Sequence, residues 1–390
     1  MSLTKTSQTS IMQTYNRLPI TAVKGEGSFL YSEDGTKYLD FTSGIATCNL
    51  GHQPEAIKKA VSDQLNLLWH CSNLYHIPKQ QELADVLTAE SCFNQVFFCN
   101  SGTEANEAAI KLVRKWSGKE TIATFTKSFH GRTLGSLSAT AQPNLQDGFG
   151  SMLPGFEYFP YNDFDRLSEI EELKPAAVML EIVQGEGGVR PADQEWISEL
   201  VSICKSNNIL IVVDEVQTGM GRTGTLFAHE QYGFEPDIMT LAKGLGSGFP
   251  IGAMLAKESV ATTFGPGTHG STFGGNPLAS AAATETVNEI ISLLNHAKEM
   301  GEFMVNAIQN LSMKYKSIIE VRGLGLLLGI EVQDAVPFVN QLREKDVLVL
   351  SAGPTVIRIL PPLNVSMKEA EEFLKKLTEV FKAADEEDQP

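Results

Sequence analysis

Apolar residues follow two alternating rhythms along this chain. Short unbroken runs, QVFFC (95–99), TIATFT (121–126), AAVMLEI (176–182), ILIVV (209–213), DIMTLA (237–242) and GAMLA (252–256), alternate with stretches of helical spacing. In one such stretch, TEANEAAIKLVRKW, Ala105, Ala108, Ala109, Leu112, Val113 and Trp116 recur at i, i+3, i+4, i+7, i+8 and i+11. That spacing predicts a helix with one buried face. Continuous apolar strands between helices predict a mostly parallel sheet covered on both sides. Upstream, SFLYSEDGTKYLDF reads as a hairpin about Asp34-Gly35, and PEAIKKAVSDQLNLLW as a helix opening at Pro54. Past residue 280 or so the rhythm changes. Two long helical stretches within 277–313 lead to GLGLLLGIEV, DVLVLSA and VIRILPP, then to a final helix from Ser366 and a solvated tail, DEEDQP. The expected architecture is α/β, with a large sheet domain at 46–280 and a smaller α+β domain at 281–390 joined by the N-terminal segment 1–45.

Composition narrows the function. A chain of 390 residues exceeds one ordinary core. Its net charge of -16 argues against a nucleic-acid partner, which requires a basic face. The N-terminus, MSLTKTSQTSIMQTYNR, lacks the apolar stretch of a secretory signal, and no apolar run reaches the ~20 residues of a membrane span. Cysteines 48, 71, 92, 99 and 204 form no C-x-x-C pair, so reduced thiols in the cytoplasm are expected. Seven histidines without ligand spacing give no reason to expect a metal.

In open parallel sheets, ligands bind beyond the carboxyl ends of the strands, so the segment after each strand is a candidate wall. The five most suggestive are NSGTEAN, KSFHGRT, QGEGG, DEVQTG and Lys243. Ser101, Gly102 and Thr103 precede a helix, where free N–H groups and two hydroxyls can cradle an anion; Thr103 could equally be an N-cap with Asn106 at N3. Lys243 ends an apolar strand and is followed by GLGSGFP. Loss of solvation there favours the neutral, nucleophilic amine, whereas a surface lysine would merely extend its head into water. Asp214 lies 29 residues earlier, driven off the end of ILIVV. A buried carboxylate demands compensation, and a solvated turn is the alternative. Strand-end acid, strand-end amine and phosphate cradle together suit pyridoxal phosphate, whose protonated ring nitrogen would be the counter-charge of Asp214. GMGRTG (219–224) matches the dinucleotide fingerprint, but it lacks the strand and long helix on either side and reads as a shaped loop.

Taken together, NSGTEANEAAIKL, SFHGRT, DEVQTGMGRTG, LAKGLGSGFPIGA and HGSTFGGNPLA resemble the class III (ornithine-type) aminotransferases of pyridoxal-phosphate fold type I. The likeness runs from YLDFTSGIATCNLGH to VIRILPPL. It implies that Lys243 bonds the cofactor and shuttles a proton, that Asp214 pairs with the ring nitrogen, and that Gln217 meets the ring's phenolic oxygen. Phe129 and Val216 would sandwich the ring, Phe129 by stacking, and Ser101, Gly102 and Thr103 would hold the phosphate. Thr272 would reach the phosphate of a neighbouring subunit, which implies a homodimer with shared sites. Arg132 and Arg358 would bind substrate carboxylates, with Ser271 also on the substrate side. Glu186 would mask Arg358 when a terminal amine enters, although a plain surface salt bridge fits the residue types too. Ornithine-specific relatives carry a tyrosine where this chain has Ile45 in FTSGIATCN. The resemblance therefore implies transfer of the δ-amino group of N2-acetylornithine to 2-oxoglutarate, giving N-acetylglutamate 5-semialdehyde and glutamate in arginine biosynthesis. Succinylornithine, ornithine, 4-aminobutyrate and N-acetyl-lysine are the alternative donors. An aminomutase, racemase or decarboxylase would keep the cofactor but not the paired arginines.

Overall fold

The computed structural model describes residues 10–387. Seven strands form the central sheet in the order Gln95–Cys99, Gly252–Ala256, Ile238–Leu241, Leu210–Asp214, Ala177–Leu180, Ile122–Phe125 and Phe156–Phe159. Gly252–Ala256 is antiparallel to both neighbours, and the remaining pairs are parallel. Each of the six apolar runs supplies one of these strands. The seventh, FEYF, is an edge strand whose two central residues are exposed, so it carried no apolar run to recognise.

A single helix, Pro277–Ser312, replaces the two stretches expected there. It opens with Pro277 behind Asn276, whose side chain accepts from the Ala279 N–H at 3.0 Å. Gly301 lies within it, at a position where a methyl would meet the Gly325 backbone. That glycine permits a close crossing. Residue 280 falls within the first turn of this helix, and one buried cluster continues from Phe98 and Leu241 through Ile290 to Ile357 and Phe373. We propose the division at 45 and 280 as one of topology, laid over a shared core.

The N-terminal strands Ala22–Glu26, Phe29–Ser32 and Lys37–Asp40 form a sheet to which Val347–Leu348 adds in parallel. Glu320–Leu324, Leu327–Glu331, Val356–Ile359 and Leu350–Ala352 form an antiparallel sheet. Helix Met367–Glu387 begins with a reciprocal cap, Ser366 N–H donating to Glu369 and Glu369 N–H to Ser366 Oγ. Part of DEEDQP is therefore not tail. Asp385 lies in that helix and accepts from the Lys316 and Ser317 N–H groups, while 388–390 lie outside the described residues. Among the described residues, no helix is long and apolar enough to cross a membrane.

Between the N-terminal sheet and the cavity lies an unusual turn. Ser43, Gly44, Ile45 and Ala46 all have positive φ (44°, 60°, 64° and 57°). Asp40 anchors it: Oδ1 accepts from the Thr42 N–H, the Thr42 hydroxyl and the Ser43 N–H, and Oδ2 lies 2.8 Å from His52 Nε2. Ser43 Oγ donates to the Leu360 carbonyl at 2.6 Å. The hydrogen bond to Asp40, and then one to Cys48, raise the His52 pKa to about 10. Burial works against ionisation of Asp40, but its hydrogen bonds from His52 and Thr42 outweigh it and hold the carboxyl below its usual value.

His52 binds its proton more tightly folded than unfolded. Its contribution to stability is therefore complete below about pH 6.5 and is lost as pH rises to about 10. Asp40 acts oppositely, its contribution vanishing only in acid. Thermal unfolding should show a midpoint that falls between pH 6.5 and 10, and Asp40→Asn should lower the midpoint at pH 6.5 and flatten that decline.

Candidate active site

A cavity of about 410 Å³ opens at the carboxyl ends of the central strands. Asp214 and Thr240 are register partners on adjacent parallel strands, and Lys243 follows three residues after Thr240. The acid and the amine thus reach the same cavity from neighbouring strands. Lys243 has φ +41°, a costly conformation for a side-chain-bearing residue, and its amine has no hydrogen-bond or ion-pair partner among the described residues. Burial lowers its pKa, and Glu186 is the strongest of the charges opposing that shift.

Asp214 is 3% exposed, and the protein itself supplies its donors. Val216 N–H reaches Oδ1 at 3.0 Å; Asn106 Nδ2 and His130 Nδ1 reach Oδ2 at 2.8 and 2.7 Å. The cofactor's ring is therefore not its only compensation, as the sequence suggested. Asn106 also donates to the His130 carbonyl and accepts from Thr240 Oγ1, which fixes its amide. Burial by itself lowers the His130 pKa, but Asp214 outweighs it and the value is raised. The next acid, Glu215, faces elsewhere: it accepts from the Ala228 and His229 N–H groups, from His229 Nδ1 and from Thr218 Oγ1. Although burial works against it, contacts to Cys92 and Glu215 hold His229 at about 9.

Helix Gly102–Ser117 points its N-terminus into the cavity. Ser101 is its cap, accepting from Glu104 N–H at 3.3 Å. Thr103 is not the cap; it hydrogen-bonds Thr133 Oγ1 at 2.8 Å. A methyl at Gly102 would collide with Val216, so this edge of the cradle admits only glycine. Phe129 N–H donates to Glu181 Oε1 at 2.9 Å, and burial pushes the Glu181 carboxyl up to about 7. The Arg132 guanidinium lies 5.6 Å from the Phe129 ring centre; it is exposed and has no ion-pair partner among the described residues.

Glu186 sits at the tip of the hairpin formed by Val183–Gln184 and Arg190–Pro191. Its Oε1 accepts from Arg358 Nη1 at 2.6 Å, and the same nitrogen lies 3.3 Å from Gln217 Oε1. Arg358 is 2% exposed, and its Nε has no partner among the described residues. The structure thus brings Ser101, Gly102, Thr103, Phe129, Arg132, Glu186, Asp214, Val216, Gln217 and Lys243 onto one cavity, with Arg358 directly behind Glu186 and Gln217. Ser271 and Thr272 line a separate hollow with Phe97, Asn100 and His269. Sequence reasoning missed Asn106, His130, Thr240 and Glu181 as site residues. The first two stand inside quoted motifs, but nothing in their spacing reveals that both turn toward Asp214.

These residues fit pyridoxal phosphate: a buried acid for a protonated ring nitrogen, an unpartnered amine for an aldehyde, and a glycine-edged helix N-terminus for a phosphate. GMGRTG is a loop in which Gly221 packs on Leu363 and Ile290. Arg222 is fully buried there, donating to the Leu326 and Pro361 carbonyls and to Asn49, with its pKa lowered to about 9 by burial.

The model of the family described as aminotransferase class-III matches residues 11–381. The chain is 53% identical, over 97% of its length and 98% of the relative's, to an acetylornithine aminotransferase of Oceanobacillus iheyensis. Among solved structures, it is similar to an ornithine aminotransferase of Toxoplasma gondii described with partial occupancy of PLP at the active site (TM-score 0.93, 31% identity, 97% and 93% of the two chains). It is also similar to the N-acetylornithine aminotransferase of Stenotrophomonas maltophilia (TM-score 0.83, 36% identity, 95% and 97%).

Asn106 carries the network beneath the cavity. Asn106→Leu should remove a donor from Asp214 and orphan the Thr240 hydroxyl, costing about 2–3 kcal/mol in urea unfolding of the cofactor-free protein.

Proposed function

Since the chain belongs to the class-III aminotransferases and uses pyridoxal phosphate, we propose that it transfers the δ-amino group of N2-acetylornithine to 2-oxoglutarate. The products would be N-acetylglutamate 5-semialdehyde and glutamate. The observation that carries this reading is the asymmetry of the two arginines. Arg132 stands open at the cavity mouth, whereas Arg358 is buried and covered by Glu186. A donor that enters amine-first leaves its carboxylate with Arg132 and needs no second cation. Glutamate and 2-oxoglutarate have a carboxylate beside the reacting carbon, for which Arg358 offers a bidentate fork once Glu186 moves aside. The unpartnered Arg358 Nε is a donor still available to that carboxylate.

When bound, the cofactor supplies the electron sink and carries the amino group from one substrate to the other. Asp214, oriented by Asn106 and His130, holds the ring nitrogen's proton. Lys243 Nζ, with its lowered pKa, would take the proton from the substrate carbon bearing the amine and pass it to the cofactor carbon that holds the same nitrogen, and would reverse this with the second substrate. Ser101, Gly102 and Thr103 hold the phosphate, and Phe129 and Val216 keep water from the ring faces.

The donor is chosen on two grounds. Ile45, 44% exposed beside the cavity-lining Thr47, is an apolar neighbour suited to an acylated rather than a charged α-amine. The 53% identity to an acetylornithine enzyme also exceeds the 31% to an ornithine one. Assayed with 2-oxoglutarate, N2-acetylornithine should give a higher kcat/KM than N2-succinylornithine, ornithine, 4-aminobutyrate or N-acetyl-lysine. A higher value for free ornithine or 4-aminobutyrate would overturn the assignment.

The working unit we propose is a homodimer in the cytoplasm, a compartment that suits five free thiols. Leu67, Trp69, Leu74, Tyr75 and Phe273 are 58–89% exposed, and Asn73 ties their segment to Ser271 and Gly274 on either side of Thr272. An apolar ridge of this kind calls for cover, and Thr272 within it would reach the phosphate held by the second subunit. Sedimentation should give twice 42.5 kDa. Leu74→Arg should yield monomers, and Thr272→Ala should leave the dimer intact but weaken cofactor retention in dialysis.

A further inference from the structure

We propose that Gln217 couples the Glu186–Arg358 gate to the cofactor ring, so that the state of the gate is felt at the ring's edge. The inference rests on the two-arginine reading above and concerns what else moves when the gate opens.

The coupling follows from donor and acceptor inventory. A guanidinium has five N–H donors and no acceptor. With Arg358 Nη1 3.3 Å from its side-chain oxygen, Gln217 must present Oε1 to the arginine. Its Nε2 has no protein partner among the described residues, and Gln217 lines the cavity. Arg358 thus decides that the cavity meets an amide donor rather than an acceptor. The same Nη1 donates to Glu186, so one nitrogen binds both the gate and the amide.

A second contact joins the gate's backbone to that amide. Gly185 precedes Glu186 in the hairpin, and a methyl there would overlap the Gln217 side-chain amide. The hairpin tip cannot shift toward Gln217 without displacing it. Arg358 Nε is buried without a partner, so no protein acceptor ties down that edge of the guanidinium. When a substrate carboxylate draws Arg358 and Glu186 apart, Gln217 loses the donor that fixed its orientation. The amide then turns, and the hydrogen bond offered to the ring changes. Gln217 is a positioning residue in this scheme as well as a ring contact, and entry of the second substrate alters the cofactor before any bond is made.

The test uses the cofactor-loaded enzyme and glutarate, a dicarboxylate with no amine or carbonyl to react. Calorimetry reports binding, and the visible band of the bound cofactor reports the ring. In the wild type, glutarate should bind and shift the band. In Glu186→Gln, the free enzyme's band should already be displaced in the same direction. In Gln217→Leu, glutarate should still release heat but the shift should be lost. Gly185→Ala keeps the Arg358 and Gln217 side chains themselves unchanged, and should displace the free enzyme's band by pushing the amide. Binding without a band shift in the wild type, an undiminished shift in Gln217→Leu, or an unmoved band in Gly185→Ala would each overturn the coupling. Absence of glutarate heat in the wild type would instead remove the two-arginine reading, and the coupling with it.

Discussion

Everything at the centre of this protein is arranged around a carboxylate placed where water does not reach. Asp214 ends the middle strand of the seven-stranded sheet, nearly without exposure. A charge in such a place costs several kcal/mol unless donors surround it. Three elements meet that requirement: the turn after the strand through Val216 N–H, helix Gly102–Ser117 through Asn106, and the loop after Ile122–Phe125 through His130. Because one anion needs all three, they are held in register with one another. Gly102, Phe129 beside His130, and Val216 are thereby fixed to a common origin.

The sheet's reversed strand serves the same geometry. Gly252–Ala256 lies between Gln95–Cys99 and Ile238–Leu241, which separates the Ser101 end of the cavity from the Lys243 end by two strand spacings, about 10 Å. The chain leaves Lys243 through the glycines of GLGSGFP and returns antiparallel along that strand. A methyl at Gly252 would meet the Ser101 carbonyl, so the returning strand is pressed against the residue that caps helix Gly102–Ser117. The spacing between the Lys243 amine and the N-terminus of helix Gly102–Ser117 is therefore set through the sheet by the strand between them.

Much of this was legible in the sequence. A buried parallel strand is an unbroken apolar run, and the polar residue that ends it is conspicuous by contrast; that is why Asp214 and Lys243 stood out. The edge strand Phe156–Phe159 had no such contrast, because its middle residues face water. The stretch 277–313 read as two helices where the structure has one, because sequence does not show the Gly325 backbone that crosses at Gly301. A cap was one of two readings open for Thr103, a hydroxyl near a helix start; Ser101, two residues earlier, does that work. The donors of Asp214 were hidden for a different reason. Asn106 is 108 positions from its partner and His130 is 84, and pairing over such distances is decided by packing, not by local pattern.

The mirror-handed turn at Ser43–Ala46 has a consequence for how the molecule comes apart. Its three non-glycine residues each forgo about 1–2 kcal/mol relative to the ordinary right-handed backbone, a sum comparable with a large part of a domain's net stability. Such a segment persists only while its tethers to Asp40 and Leu360 persist, one from the N-terminal sheet and one from the C-terminal region. Release of either lets the backbone flip to its natural hand, and the recoil removes Thr47 from the cavity wall. Local melting at this point would extinguish the binding site well before the central sheet loosens.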